Sequence, residues 1–258
     1  MNVSLWLGIS LMPGPPRPPP MPRSVPAPAP APVEEAPSAD HRTRVGAERR
    51  ERTRVRLLES ALGVFNSKGP DVAVIDDFIA AAGVSRGTFY NHFKTTADLL
   101  LALASAMSDE VLQVVDPLVL EIEDPIRRFS AGTRMYMHTA LRYPLWGSFI
   151  TRVGTRIAAR GQLIDAYLTR DLALAIEAGR IKASSVQVGR DIVLGSIFYG
   201  IETMITEPTQ DHHPEHLMHC VLVGLGLSAR EAQRIAFEEL SMPATIAGPI
   251  FSGMAPTR

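Results

Sequence analysis

The residues with chemistry to offer are concentrated in GVSRGTFYNHFK, Gly83 to Lys94. Phe89 and Phe93 stand four apart and would share one face of a helix, while Thr88, Tyr90, Asn91 and His92 present hydroxyl, amide and imidazole tips in the other directions. At about 100° per residue, Asn91 points away from the phenylalanine side, with Gly87 and Thr88 beside it and Tyr90 and His92 on the two flanks. Short polar groups at the centre of such a face suit base edges in a nucleic-acid groove, and groups on the flanks suit phosphates. Gly87 removes bulk where a backbone would approach a surface, and Ser85 can cap the helix.

The elements that must hold this stretch can be read on either side of it. Ile75 to Ala82 reads as a short helix, Gly83 permits a tight turn and Val84 plugs the corner. Helix, glycine turn and helix together form the helix-turn-helix pattern, whose second helix enters the major groove. Before it, Ala47 to Ser67 reads as an amphipathic helix with Val55, Leu58, Leu62 and Phe65 on one stripe, ended by Lys68-Gly69-Pro70. Its start carries Arg42, Arg44, Arg49, Arg50, Arg52, Arg54 and Arg56. Many of these arginines are expected to be solvated surface.

Charge is distributed accordingly. His41 to Leu100 holds ten Lys or Arg against seven Asp or Glu, whereas the remainder is mildly acidic and the whole chain sums to -1. One cysteine, Cys220, excludes an internal disulfide framework and fits a reducing cytosol, so a cytoplasmic protein is expected. Val3 to Met12 is apolar, but too short to span a bilayer, and lacks the flanks of a signal peptide. Pro13 to Pro37 is dominated by Pro and Ala, so residues 1–40 are expected to form a disordered tail; Met12 and Met21 are other conceivable starts.

Taken in order, these residues closely resemble the tetracycline-repressor (TetR) family of bacterial one-component regulators. The resemblance runs from Glu48 to Ala106 through Phe65-x-x-x-Gly69, Asp77-Phe78, Ala82-Gly83-Val84-Ser85, Gly87 to Lys94 and Asp98-Leu99-Leu100. It implies an all-α fold with a DNA-binding domain over residues 41–94, a helical effector and dimerisation domain over 95–240, and a C-terminal tail over 241–258. It also implies a homodimeric repressor that binds double-stranded operator DNA and is released by a small-molecule effector, without catalysis, cofactor or membrane. Arg54, Ser85, Arg86, Gly87, Thr88, Tyr90, Asn91, His92 and Lys94 become the expected DNA contacts. Two departures stand out: Val74 where the family usually has Thr, and Thr96 where it has a second Lys. Arginines of the first helix could replace the lost phosphate contacts.

Beyond the head, helices are expected over Thr95–Val114, Pro117–Arg142, Leu145–Arg160, Leu163–Gly179, Gln187–Ile205, Pro214–Leu225 and Ser228–Leu240, the last opened by a Ser228-x-x-Glu231 capping box. Met135, Tyr136, His138, Trp146 and Phe149 mix apolar bulk with polar tips and are candidate effector contacts, set against the plainer reading as core. The family's last two long helices pair across a two-fold axis, so Gly195, Ser196, Tyr199, Gly200, Leu217 and Val221 are candidate interface residues.

The segment His212 to Cys220 gathers four histidines and the cysteine. His216 and Cys220 share a helix face, which opens a metal-responsive alternative with His212 or His213 folding back, although no metal site is assigned. A helical enzyme or scaffold using the same N-terminal helices for protein contact is the rival class. No Gly-rich phosphate loop, Gly-x-Ser-x-Gly or His-Glu-x-x-His supports an enzyme.

Overall fold

The apolar periodicity resolves into ten α-helices in the computed structural model, which describes position 14 and residues 39–158 and 162–254; no strand occurs among the described residues. The expected tail over residues 1–40 and the expected helix end at Arg160 fall largely or wholly outside them. In chain order the helices are α1 (Ala39–Lys68), α2 (Ile75–Ala82), α3 (Arg86–Tyr90), α4 (Thr96–Leu120), α5 (Pro125–Arg142), α6 (Pro144–Val153), α7 (Leu163–Glu177), α8 (Val186–Thr206), α9 (His213–Gly224) and α10 (Ala229–Ala236). Two units are distinguished, Met1–Arg44 and Val45–Arg258, and all packing described below lies in the second.

In the head, Leu57, Leu58, Ala61, Leu62 and Phe65 of α1 are buried with Phe78, Phe89 and Phe93. Val74 offers no side-chain cap to α2. The Asp77 carboxylate instead accepts from the Val74 N–H at 3.1 Å and from Lys68 Nζ at 2.6 Å.

The body is a bundle in which α4 and α5 pack on α7, and α8 is surrounded by α5, α6, α7 and α9. Three expected boundaries are corrected. First, α4 runs through Pro117 to Leu120, and α5 begins at Pro125, not Pro117. A proline costs one helix hydrogen bond but does not force a stop. The break comes where Asp124 caps α5, accepting from the N–H of Ile126 at 2.9 Å, with Pro125 in the first position.

Second, α6 ends at Gly154, whose φ of 56° and ψ of -142° leave the helical region. Third, of the expected tail over 241–258, residues 241–254 are described and are packed in place, with Ile246, Ile250 and Phe251 buried in the body. The last capping box is also only half formed. Ser228 accepts from the Glu231 N–H at 3.3 Å, but the Glu231 carboxylate goes to Arg180 at 2.9 Å. No helix among the described residues is long and apolar enough to cross a membrane.

Candidate functional site

The turn before α3 is built by backbone geometry that only glycine adopts easily. Gly83 has φ 59°, and the N–H groups of Gly83 and Val84 return to the carbonyls of Ala80 and Ile79. Ser85 then caps α3, accepting from the Thr88 N–H at 3.1 Å and pairing its hydroxyl with that of Thr88 at 2.9 Å. Phe89 is fully buried, stacked on Phe78 at 6.5 Å and near Phe93 at 6.1 Å. On the other side Gly87, Tyr90, Asn91 and Lys94 are exposed.

The face therefore forms, with adjustments. The α-helix ends at Tyr90, and Asn91 is its C-cap, still in the right-handed region at φ -69° and ψ -18°. Arg50 of α1 donates to the Asn91 carbonyl at 3.4 Å. His92 is half-buried, not an exposed flank; its burial, with Arg50 and Arg54 nearby, holds the imidazole below its usual range. Arg86 is committed to Asp76 at 2.5 Å, and Arg54 lies 3.5 Å from Glu51. Gly87 has no crowding neighbour, so nothing inside the chain requires glycine there.

The candidate effector residues do not converge. Trp146 and Phe149 are wholly buried and Met135 is core. Phe149 meets Phe65 edge-on at 5.6 Å, joining an aromatic file through Phe78 to Phe89. Trp146 packs on Tyr136 at 5.0 Å. His138 points to the opposite side of α5, where its Nε2 bonds Glu215 at 2.7 Å. The physical reason is rotation: at about 100° per residue Tyr136 and His138 stand roughly 160° apart around α5 and cannot face one space.

Of these five residues, only Tyr136 lines the cleft between α4, α5, α7 and Ile197 of α8, whose space is about 470 Å³ with its open mouth included; His138 instead borders a wider groove with Arg134, Arg142 and Phe237. Its hydroxyl bonds that of Ser108 at 2.8 Å, and burial pushes its pKa up. Most of the cleft is apolar: Leu112, Val115, Val119, Phe129, Ile164 and Leu168. One wall is a ladder of charges that sequence reading missed. Arg170 bonds Asp116 at 2.8 Å and Asp171 at 2.9 Å, and Arg128 reaches Asp171 at 3.2 Å. The available signal was charge on otherwise apolar helical faces.

The candidate interface residues divide. Gly200 and Val221 are buried within the subunit, and Leu217 packs against the core. A Cβ at Gly200 would lie 2.5 Å from Leu217 Cδ2 and 2.9 Å from Met137 Cε, so this glycine serves close packing inside the chain. Gly195 has open space, Ser196 is half-exposed, and Tyr199 is 76% exposed on the same helix. Val188 and Ile192 of α8 and Val223 of α9 are exposed too.

The histidine segment does not form a ligand set. His212 and His216 flank the Phe237 ring at 6.3 and 5.0 Å, and Cys220 is exposed. Among the described residues no group of three or more His, Cys, Asp or Glu is arranged to hold a metal ion.

A capped helix-turn-helix with a polar outer face, carried by an all-helical body with a lined cleft, defines a two-part helix-turn-helix protein. Known proteins place it further. The family model for bacterial regulatory proteins of the tetR family matches residues 57–103, and the model for the tetracyclin repressor-like C-terminal domain matches residues 124–238. Together these cover more than half of the chain, which belongs to the TetR family.

The regulator CymR of Pseudomonas putida is 40% identical over 70 residues, 27% of this chain; the matched stretch spans about a third (34%) of that relative's length. The crystal structure of RolR in complex with resorcinol is similar at 27% identity and a TM-score of 0.67, over 78% of this chain and 100% of that one. A TetR-family regulator from Syntrophomonas wolfei shares the fold at 20% identity and a TM-score of 0.52, over 75% and 99% of the two chains.

Proposed function

We propose that this chain is a homodimeric, effector-released transcriptional repressor. The observation that carries the reading is the outer face of α3: Phe89 is buried against α2 while Gly87, Tyr90 and Asn91 are presented to the outside. In this reading residues 41–94 bind DNA and residues 95–240 bind effector and partner. Asn91, with Thr88 beside it, reads base edges in the major groove; Tyr90, Lys94, Arg54 and the Ser85–Arg86 turn border phosphates. His92 sits further in, beside Arg50 and Arg54, and stiffens the edge of the face. Its burial and the neighbouring arginines lower its pKa and so favour the neutral imidazole.

The effector is a small aromatic compound with hydroxyl groups, in the class of resorcinol. Support comes from the likeness to the RolR complex and from the cleft itself, whose apolar floor suits a ring and whose Asp116–Arg170–Asp171 wall suits hydroxyls. Effector binding shifts the population of head separations away from the one that spans two successive major grooves.

The test is a duplex selected from the source genome, titrated at several salt concentrations. Repressor-type binding falls steeply with salt as counterions are released. Added resorcinol should raise the protein's melting temperature and free the duplex. Weak, salt-insensitive binding indifferent to sequence would favour the protein-contact class instead.

A further inference from the structure

Residues 241–254 lie beyond both stretches matched by the family models. Leaving α10, this segment crosses the end of α5, where Arg142 donates to the carbonyls of Pro243 at 2.9 Å and Ala244 at 2.6 Å. It then meets Glu110, a buried residue midway along α4. One carboxylate oxygen accepts from the Ile250 N–H at 3.0 Å and the other from the Phe251 N–H at 2.9 Å.

Two charge-assisted bonds to one buried carboxylate make a specific clasp. Gly248 fits against it with no room for a methyl, since a Cβ would overlap the Glu110 carboxyl. The Phe251 ring stands edge-on to Tyr143 at 5.0 Å and to Trp146 at 5.5 Å. Beyond it, Met254 borders a groove with Leu62, Gly63 and Asn66 of α1 and with Pro144 and Leu145 of α6.

The segment thus touches the body at α4, α5 and α6 and faces α1 of the head across a groove. Its anchor on α4 falls between Leu99 and Leu103, buried at the start of that helix, and Leu112, Val115 and Asp116, which line the cleft. α4 follows α3 directly in the chain, so its position sets that of the head. We propose that residues 241–254 are a latch that fixes the head against the body by clasping α4 at Glu110. That the cleft controls the head rests on the proposed function; the latch itself needs neither DNA nor effector.

The experiment therefore uses neither. In a background carrying Trp6→Phe and Cys220→Ser, Trp146 is the one tryptophan, and spin labels go on Val72→Cys, exposed ahead of α2, and Leu174→Cys, exposed on α7. Labelled protein is diluted into unlabelled protein so that only the distance within one subunit is read. Two variants open the clasp from opposite sides: Glu110→Gln sets an amide donor against a backbone donor, and Gly248→Ala introduces the overlapping methyl.

Both variants are expected to keep the helical circular dichroism of the parent, to red-shift Trp146 emission as Phe251 leaves, and to replace one narrow distance by a broad distribution. A red shift with the distance unchanged would show that the segment leaves while the head stays, and would overturn the latch. Unchanged emission in both variants would overturn the clasp at Glu110. Loss of helical signal in both would make the segment part of the folding core, again overturning the proposal. Failure of DNA binding or of resorcinol release would leave these readouts unmoved, and so would count against the proposed function alone.

Discussion

Gly195 and Gly200 stand five residues apart on α8 and serve different ends. Gly200 lets Leu217 and Met137 close on the helix, so Gly200→Ala should cost about 1–3 kcal/mol by overpacking. Thermal unfolding should show the loss, while the dimer dissociation constant stays near that of the parent. A dimer defect with unchanged melting would show that Gly200 faces a partner.

On the outer face of α3, Asn91→Ala should change which duplexes are preferred, at about 1–3 kcal/mol for the lost base contact. Tyr90→Ala should weaken all duplexes alike. Parallel titrations of matched and altered duplexes would expose a wrong register if Asn91→Ala left affinity and preference untouched. Gly83, Ser85 and the two phenylalanines were legible in sequence because each obeys a local rule of turn, cap or period. The halfway burial of His92 was not, since α1 delivers Arg50 and Arg54 from more than thirty residues away.

Among the elements, the junction of α5, α9 and α10 holds the least exposed ion pair among the described residues. Arg134 is buried and donates to the carbonyls of Glu238 at 2.8 Å and Ile235 at 3.4 Å. Glu215 of α9 lies 3.7 Å from Arg134 and accepts the bond from His138. Burial pushes the Glu215 carboxyl up, but the His138 bond and the nearby charges outweigh it and leave its pKa lowered.

A carboxyl depressed in the folded state stabilises fully above its ordinary value of about 4.3, and that contribution disappears as pH falls through the folded value. Glu215→Gln should therefore cost about 3 kcal/mol or more at pH 7, by leaving Arg134 buried without its opposing charge, and should flatten the acid limb of the stability profile. Denaturant titrations from pH 7 to pH 3 would contradict this if parent and variant lost stability in parallel. The helix ends around this junction illustrate the limits of local reading: Pro117 reads in sequence as the start of a helix that begins at Pro125, because packing on α5 and α7 carries α4 through Pro117.

For the whole molecule, the symmetry of the proposed dimer would do what charge alone cannot. A net +3 over His41 to Leu100 is too little for one head to hold a specific site at physiological salt, whereas two heads double the contacts and impose half-sites about 34–36 Å apart. Val188, Ile192, Gly195 and Tyr199 recur at four-, three- and four-residue steps on α8 and leave an apolar strip exposed. Gly195→Glu should place an uncompensated charge in that strip and yield monomers that lose the duplex while the head stays folded. Light scattering showing a stable dimer with normal affinity would move the interface elsewhere.

The sequence by itself determined the class of fold, the helix-turn-helix, the capped polar outer face and the family, because these depend on residues close in the chain: a glycine at a left-handed turn, a serine cap, apolar positions at helical spacing. Tertiary structure alone decided which side of α5 faces the cleft, that Gly200 rather than Gly195 packs inside the subunit, and where residues 241–254 go. Those outcomes rest on partners far apart in sequence, Glu110 with Ile250, Asp116 with Arg170 and His138 with Glu215, whose meeting depends on how whole helices rotate and cross. Local periodicity sets which face of a helix is apolar, but not which neighbour that face will meet.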